Sequence, residues 1–406
     1  MLVPLSYNLR SLFVRKSATL LTVLGIGATV AIVSGVLALQ QGFRTMFTSG
    51  GREDVAVFLR PGANSEGDSQ FSRDRGLNLI KSVAEIEIGE SGPIASMEAY
   101  LAVLLPPSRG GVTNVPLRGV QPMSFEIRKG ELSIVEGANF QPGSDELIVG
   151  SRLVGRIQDC YVGGVIQLNK TPFRVVGVFE HPGQFGGEIW GDLDRLLSAM
   201  GRYGPNRVIA KLRPGSEIGA PDPVAVMFSD DPPDPEPGSL AARLLKDNEV
   251  PAKVYTEKQF LASQTVMLTF MLAGLGIGLG VIMGLAAVFT ATNTMLSALA
   301  ARTHEIGILL AMGYRPVPIF VSFLFEALML GILGGLAGWV MALPFNGVQA
   351  GTMNFQTFTE MTFAFRVTPI VLGIAIAFSV MLGLLGGAWP AWRAARLKPT
   401  DALRKA

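Results

Sequence analysis

Four long runs of the chain contain no Asp, Glu, Lys or Arg: those between Lys16 and Arg44, Lys258 and Arg302, Glu326 and Glu360, and Arg366 and Arg393. A helix crosses a ~30 Å hydrocarbon core with roughly 20 apolar residues. Each run is long enough, so the pattern predicts four transmembrane helices, at 17–39, 266–290, 317–343 and 367–388. The first exceeds the apolar stretch of a secretory signal, and Leu37-Ala38-Leu39-Gln40 offers no small-residue cleavage site, so it reads as a retained anchor. The uncharged run 259–301 would extend about 64 Å as one helix, about twice the hydrocarbon thickness, and so predicts a rigid rod that continues beyond the membrane.

Between the first two spans the period changes. Structureless connections beyond ~15 residues are uncommon, so 40–265 reads as a folded α+β extracytoplasmic domain, expected in two lobes. Strands are predicted at 54–59, 100–105, 115–120, 146–149, 165–168 and 173–179, the last two joined by a tight turn at Lys170-Thr171-Pro172. Helices are predicted at 73–84 behind the cap Ser72, at 191–200 and at 239–246. A proline-rich, acidic linker is expected at about 213–238. At the start, Leu5, Leu9, Leu12 and Phe13 recur at helical spacing and predict an amphipathic interfacial helix over 1–16. The segments 291–316, 344–366 and 389–406 are expected as a cytoplasmic extension with a short helix, a short periplasmic loop and a cytoplasmic tail.

Composition agrees with the membrane class, since 49% of residues are hydrophobic and only 16% charged. Charge then orients the chain. Arg10, Arg15 and Lys16 precede the first span, Arg302 and Arg315 lie between the second and third, and Arg393, Arg396, Lys398, Arg404 and Lys405 follow the fourth. Cytoplasmic loops hold the excess of Lys and Arg, which places both termini in the cytoplasm and 40–265 outside. The segment 40–258 carries 28 acidic and 23 basic residues, so the remainder carries an excess of seven positive charges within the overall +2. A basic inner rim facing anionic lipid fits that orientation. No basic patch with interleaved aromatics points to nucleic acid.

Candidate chemistry is sparse. Cys160 is the only cysteine, which excludes an intrachain disulfide, and His181 and His304 fall in different compartments, which excludes a zincin-like site at His304-Glu305. No metal site is expected. The glycines at 274, 276, 278, 280 and 284 allow close helix approach and lack the strand that a dinucleotide fingerprint requires. Nothing matches a phosphate-cradling Gly-x-x-x-x-Gly-Lys-Ser/Thr loop, and no nucleophile has a base beside it, so the chain reads as non-catalytic. The large domain offers no cage of aromatics or charges assignable to a ligand. Glu326 stands as a lone carboxylate at membrane depth, where a structural hydrogen-bonding role is favoured over proton relay because the other spans supply no partner carboxylate.

The stretch ARTHEIGILLAMGYRP, 301–316, is a charged island between two apolar runs. Ile306, Leu309, Leu310 and Gly313 share a helical face, Arg302, Glu305 and Arg315 lie near the ends, and Gly313, Pro316 and Pro318 terminate or kink the helix. This segment, with Glu326 followed by the glycines of Leu330-Gly-Ile-Leu-Gly-Gly-Leu-Ala-Gly338, and Pro390-Ala-Trp-Arg-Ala-Ala-Arg396 with Pro399 and Ala402-Leu403-Arg404, resembles the MacB/FtsX-like family of ABC-transporter permeases. The order of one span, a large domain and three spans is similar as well. In two positions the pattern departs: Leu310 stands where the family often has a basic residue, and Arg393 where a small one is common.

The resemblance implies a four-span permease without a fused ATPase domain, paired with a second permease copy as a homodimer or heterodimer and bound to ABC ATP-binding subunits. ATP and Mg would be used by those partners, with no cofactor held by this chain. It implies that Arg302, His304, Glu305, Ile306, Gly307, Leu309, Leu310, Met312, Gly313 and Tyr314 form a coupling helix seated in the ATPase. Pro390, Arg393, Arg396, Pro399, Leu403 and Arg404 form the C-terminal motif. The leading expectation is an exporter or extractor of an amphiphilic substrate, working by mechanotransmission with a periplasmic adaptor and outer-membrane conduit as further partners. Competing readings are a non-transporting regulator of cell-wall hydrolases and a membrane-anchored scaffold.

Overall fold

The computed structural model describes residues 16–48, 50–229, 233–313, 315–353 and 359–398. The amphipathic helix expected before Lys16 lies outside these residues, as do Tyr314, Pro399, Leu403 and Arg404 of the candidate site. The chain divides into two compact units, one built from residues up to Gly42, Phe270–Val348 and those from Ala364 on, the other from Phe43–Thr269 with Gln349–Phe363.

The chain begins with helix α1 (Lys16–Thr48), followed by β1 (Val55–Leu59), α2 (Arg73–Ser82), β2 (Ile88–Gly89), β3 (Gly92–Pro93), β4 (Ala95–Leu105), β5 (Thr113–Val120) and α3 (Pro122–Ile127). Next come β6 (Ser133–Gly137), β7 (Glu146–Gly150), β8 (Val165–Leu168), β9 (Thr171–Glu180), β10 (Ile189–Asp192), α4 (Leu193–Ala199) and β11 (Arg207–Lys211). The domain closes with α5 (Pro223–Phe228), α6 (Leu240–Lys246), β12 (Lys253–Thr256) and α7 (Glu257–Ser263). Then follow α8 (Val266–Ala301), α9 (Thr303–Ala311), α10 (Pro316–Ala342), the paired strands β13 (Gln349–Met353) and β14 (Glu360–Ala364), and α11 (Pro369–Ala395).

Four of these helices, α1, α8, α10 and α11, are long and apolar enough to cross a membrane. Helices α1, α8 and α11 run past the C-terminal ends of the predicted spans, by nine, eleven and seven residues, because backbone hydrogen bonding continues past the point where the hydrocarbon would stop, whereas α10 matches its prediction to within one residue. Their packing is set by glycines. A Cβ on Gly331 would stand 2.9 Å from the Ser379 carbonyl oxygen of α11, and one on Gly335 would stand 3.1 Å from the Ser379 side chain. Gly334 and Gly338 face α1 instead, with Ile26 at 2.5 Å and the Gly27 carbonyl at 2.7 Å from the added Cβ. Residues four apart share a helix face, so the motif after Glu326 presents two small faces to two neighbours. The Ser379 hydroxyl donates to the Gly331 carbonyl across the α10–α11 contact. On α11, Pro390 lacks the N–H that would satisfy the Gly386 carbonyl, and Thr292 Oγ1 of α8 donates to that oxygen at 2.8 Å.

The large domain centres on β4. Its first half pairs antiparallel with β11, and its second half with β5. The sheet order is β12-β1-β11-β4-β5-β10-β7-β9-β6, with β8 on β9. One apolar cluster, including Phe58, Leu79, Met97, Val208 and Leu244, fills the β1–β11 side, and a second, including Leu117, Val149, Leu168, Phe173 and Ile189, fills the β5–β9 side. Helix starts follow side-chain caps: Ser72 accepts from Arg75 N, Asp192 from Asp194 N and Arg195 N, and Thr256 with Gln259 forms a capping box.

Three local expectations change. The β8–β9 turn is Asn169-Lys170, since Leu168 already pairs with Thr171; Asn169 takes φ +50, which an asparagine tolerates. Pro172 sits inside β9, ahead of the pairing with β7 that begins at Arg174, so its missing N–H breaks no ladder on that side. The expected linker at 213–238 contains α5, and Glu236 N donates to the Gly219 carbonyl at 3.0 Å, which ties its ends together. The expected short loop at 344–366 contains the β13–β14 pair, and it joins the large domain through Tyr100 Oη and Thr359 Oγ1, 2.8 Å apart, and through Phe43 edge-on to Phe363.

Where the two sides of the sheet meet at β4, Glu98 lies fully buried within a charge network that sequence reasoning missed. Arg207 Nη2 and Nε donate to Glu98 Oε2 at 2.6 and 2.9 Å, and Arg128 Nη1 donates to Oε1 at 3.1 Å. Arg118 grips Glu188 with two bonds, at 2.6 and 2.8 Å, and reaches Glu66 at 2.7 Å, which Arg207 Nη1 also meets at 2.6 Å. Arg128 continues to Glu257 at 3.1 Å, the first residue of α7. The Phe185 ring lies against all three guanidiniums. Burial alone would raise the Glu98 carboxyl, but the positive charges of Arg128, Arg207 and Arg118 outweigh it and hold the carboxyl far below the ordinary glutamate range.

Two predictions follow from this packing. Gly383→Ala, whose Cβ would lie 2.6 Å from the Ala327 carbonyl, is expected to cost about 1–3 kcal/mol, whereas Gly35→Ala, with nothing within 4 Å, is expected to be nearly neutral. Thermal midpoints of the detergent-solubilised protein check both. Because folding depresses the Glu98 pKa, its contribution to stability is complete above the ordinary glutamate value of 4.5 and is lost as pH falls below it. Glu98→Gln is therefore expected to lower stability at pH 7 and to flatten the acid limb of a midpoint-versus-pH curve.

Candidate functional site

The charged island forms α9, a helix of 9 residues set between α8 and α10. Helix α8 stops at Arg302, whose φ −113 and ψ 10 leave the helical region, and Thr303 Oγ1 donates to the Leu299 and Ala300 carbonyls that the break exposes. At the other end Gly313 takes φ +90 and its N–H donates to the Leu310 carbonyl, so glycine closes the helix where a side chain would be strained. Arg315 then takes the extended conformation at the position before α10, with Pro316 in its first turn.

The two sides of α9 differ. Ile306 and Gly307 are buried, and Ile306 joins a cluster with Met295 and Leu299 of α8, Ile319, Phe323 and Ala327 of α10, and Ala391 and Ala394 of α11. Leu310 packs at its edge and Leu309 is half-buried. His304, Glu305, Ile308, Ala311 and Met312 are exposed, Ile308 by 41% and Met312 by 64%. Spacings of one, four, seven and eight place these five on one face. Gly313 is exposed with that end of the helix rather than packed with Ile306.

Arg302 points elsewhere. Its Nη1 donates to Glu326 Oε2 at 3.3 Å, and the two side chains are only 12% and 6% exposed. Glu326 is therefore not a lone carboxylate. Its partner comes from the island, brought back by the short α9 hairpin. Such a pair removes the cost that a single buried charge would carry, and it fixes the start of α9 against α10.

At the C-terminal motif, Pro390 is buried within α11 and Arg393 and Arg396 are exposed, stacked over Trp389 and Trp392 at 5.7 and 4.2 Å. The motif thus separates into a packing residue and two surface cations. Among the described residues no group of three His, Cys, Asp or Glu could hold a metal.

Removing one partner of the Arg302–Glu326 pair is expected to cost more than removing both. Arg302→Ala or Glu326→Ala alone should lose about 3 kcal/mol, and the double variant appreciably less. Thermal midpoints across the double-mutant cycle in detergent measure this coupling.

Residues 19–220 match the MacB-like periplasmic core domain family, and residues 276–399 match the FtsX-like permease C-terminal family. The chain is 27% identical to the macrolide export ATP-binding/permease protein MacB of Agrobacterium fabrum, over 97% of this chain and 59% of that protein. It is 26% identical to the pyoverdine export ATP-binding/permease protein PvdT of Pseudomonas savastanoi pv. phaseolicola, over 97% of this chain and 58% of that protein. The chain spans about three-fifths of the length of these curated relatives. The crystal structure of the periplasmic region of MacB from Actinobacillus actinomycetemcomitans aligns with 55% of this chain and 95% of that one, at 13% identity and a TM-score of 0.35. The first match covers α1 and most of the large domain, the second runs from within α8 through α11, and the chain belongs to the MacB/FtsX-like family of ABC transporter permeases.

Proposed function

We propose that this chain is the permease subunit of an ABC transporter that exports or extracts an amphiphilic substrate, driven by a separate ATP-binding subunit that grips α9. The observation that carries this reading is the two-sidedness of α9. Its inner face is keyed by Ile306 and Gly307 into a cluster shared by α8, α10 and α11, while its outer face offers His304 and Glu305 at the start and Ile308 and Met312 further along. A push on the outer face is delivered to three spanning helices at once. Helix α8, 36 residues without a break, is suited to carry that displacement along about 54 Å.

The 406 residues hold no phosphate-cradling loop, so ATP and Mg would be bound by residues outside this sequence. The curated relatives are ATP-binding/permease proteins for macrolide and pyoverdine export, which supports export over scaffolding. In this reading the protein lies in a bacterial inner membrane with both termini cytoplasmic, in agreement with the basic residues flanking its spans. The pump holds two permease copies.

Replacing Ile308 and Met312 together by Asp tests the proposal. ATP hydrolysis stimulated by the permease should fall tenfold or more, with the thermal midpoint unchanged, because both side chains already meet water in the isolated chain. Glu305→Ala should weaken the same coupling. Stimulation at the wild-type level in the double variant would overturn the assignment, and stimulation lost without any transport defect would favour the regulator of cell-wall hydrolases.

A further inference from the structure

The C-terminal end of α11 carries a surface stripe that the coupling function does not use. Met381, Leu385, Trp389, Trp392, Arg393 and Arg396 follow one another at spacings of four, four, three, one and three, which keeps them on one helical face. All are exposed: Met381 by 46%, Leu385 by 56%, Trp389 by 50% and Trp392 by 48%. The opposite face, with Gly383, Gly387, Ala391 and Ala394, is buried.

Along the helix the stripe changes from aliphatic to aromatic to cationic. From Pro369 to Trp389 the helix rises about 30 Å, the thickness of the hydrocarbon core, so the indoles stand at the depth of the lipid carbonyls and the guanidiniums at that of the phosphates. Each guanidinium lies over an indole, Arg393 over Trp389 at 5.7 Å and Arg396 over Trp392 at 4.2 Å. Stacking holds the planar cations in place while their N–H edges stay free to donate sideways. No carboxylate in the described residues forms a salt bridge with either arginine, and the exposed Lys398 adds a third positive charge. The helix C-terminus repels an anion approaching along the axis, so an anion is received on the side of the stripe.

We propose that these two Trp–Arg pairs form a binding site for an anionic phospholipid, with the headgroup phosphate between the two guanidiniums and an acyl chain along Leu385 and Met381. The order of chemistry along the stripe matches that along the lipid. The site requires that α11 spans a membrane, and it stands independently of any ATP-binding partner.

The test uses the full chain in phosphatidylcholine vesicles containing a minority of phosphatidylglycerol, with bromine on the acyl chains of one lipid or the other. Tryptophan quenching per brominated chain should favour phosphatidylglycerol about fivefold, and Arg393→Gln with Arg396→Gln should bring the ratio to about one. Lysine at both positions should restore part of the preference, and a circular dichroism spectrum equal to wild type would show that the glutamine variant remains folded. Equal quenching by both lipids in the wild type, or a preference that survives the glutamine variant, overturns the proposal. So does loss of the preference on adding millimolar inorganic phosphate, which would mark a free-phosphate site. Protection of the tryptophans from brominated lipid by an added ATP-binding subunit would make the stripe a protein contact and overturn it as well.

Discussion

Hydrocarbon offers no hydrogen bonds, so an unpaired backbone group or charge inside the spans is costly, and the way the spanning helices meet depends on that constraint, even though Ser34 Oγ and Trp339 Nε1 are buried without a partner. Glu326 meets Arg302, the carbonyl freed by Pro390 receives the Thr292 hydroxyl, and Ser379 donates to the Gly331 carbonyl. Each contact joins two different helices. The Thr292 and Ser379 bonds reach backbone carbonyls and need a close approach of the helices, and this is where the glycines of α10 and α11 enter. Without side chains at Gly331, Gly383 and Gly387, the backbones approach until side chains of ordinary length bridge them.

The large domain solves a different problem with opposite means. Its two apolar clusters lie on either side of the β4 junction, and the space between holds Arg118, Arg128, Arg207, Glu66, Glu98, Glu188 and Glu257. Buried ions add little net stability over well-packed apolar residues, but they tolerate only one geometry. A network that starts in β5 and β11, passes through β4 and ends at the first residue of α7 therefore specifies how both sides of the sheet and that helix fit together.

Much of the membrane architecture was legible because it depends on properties that accumulate along the chain. Uncharged runs identified the four spans, and the capping residue Ser72 placed the start of its helix at Arg73. The charged island was visible for the same reason, as an interruption in a long apolar pattern. Local rules failed where partners are distant in sequence. Pro172 reads as a turn residue until β9 is seen to be unpaired on one side there, and the 344–366 segment reads as a loop until Thr359 is seen against Tyr100.

The sequence by itself determined the membrane class, the order of spans and domain, and the existence of a short helix at 303–311. Hydropathy, charge and helix stop signals are sums over neighbouring residues. Only the tertiary structure decided which side of that helix is left open, that Arg302 pairs with Glu326, and that seven scattered charges in the large domain form one buried network. A charge acquires its role from what stands within a few ångströms of it, and chain separations of 24 residues between Arg302 and Glu326 and 129 between Arg128 and Glu257 carry no trace of that proximity.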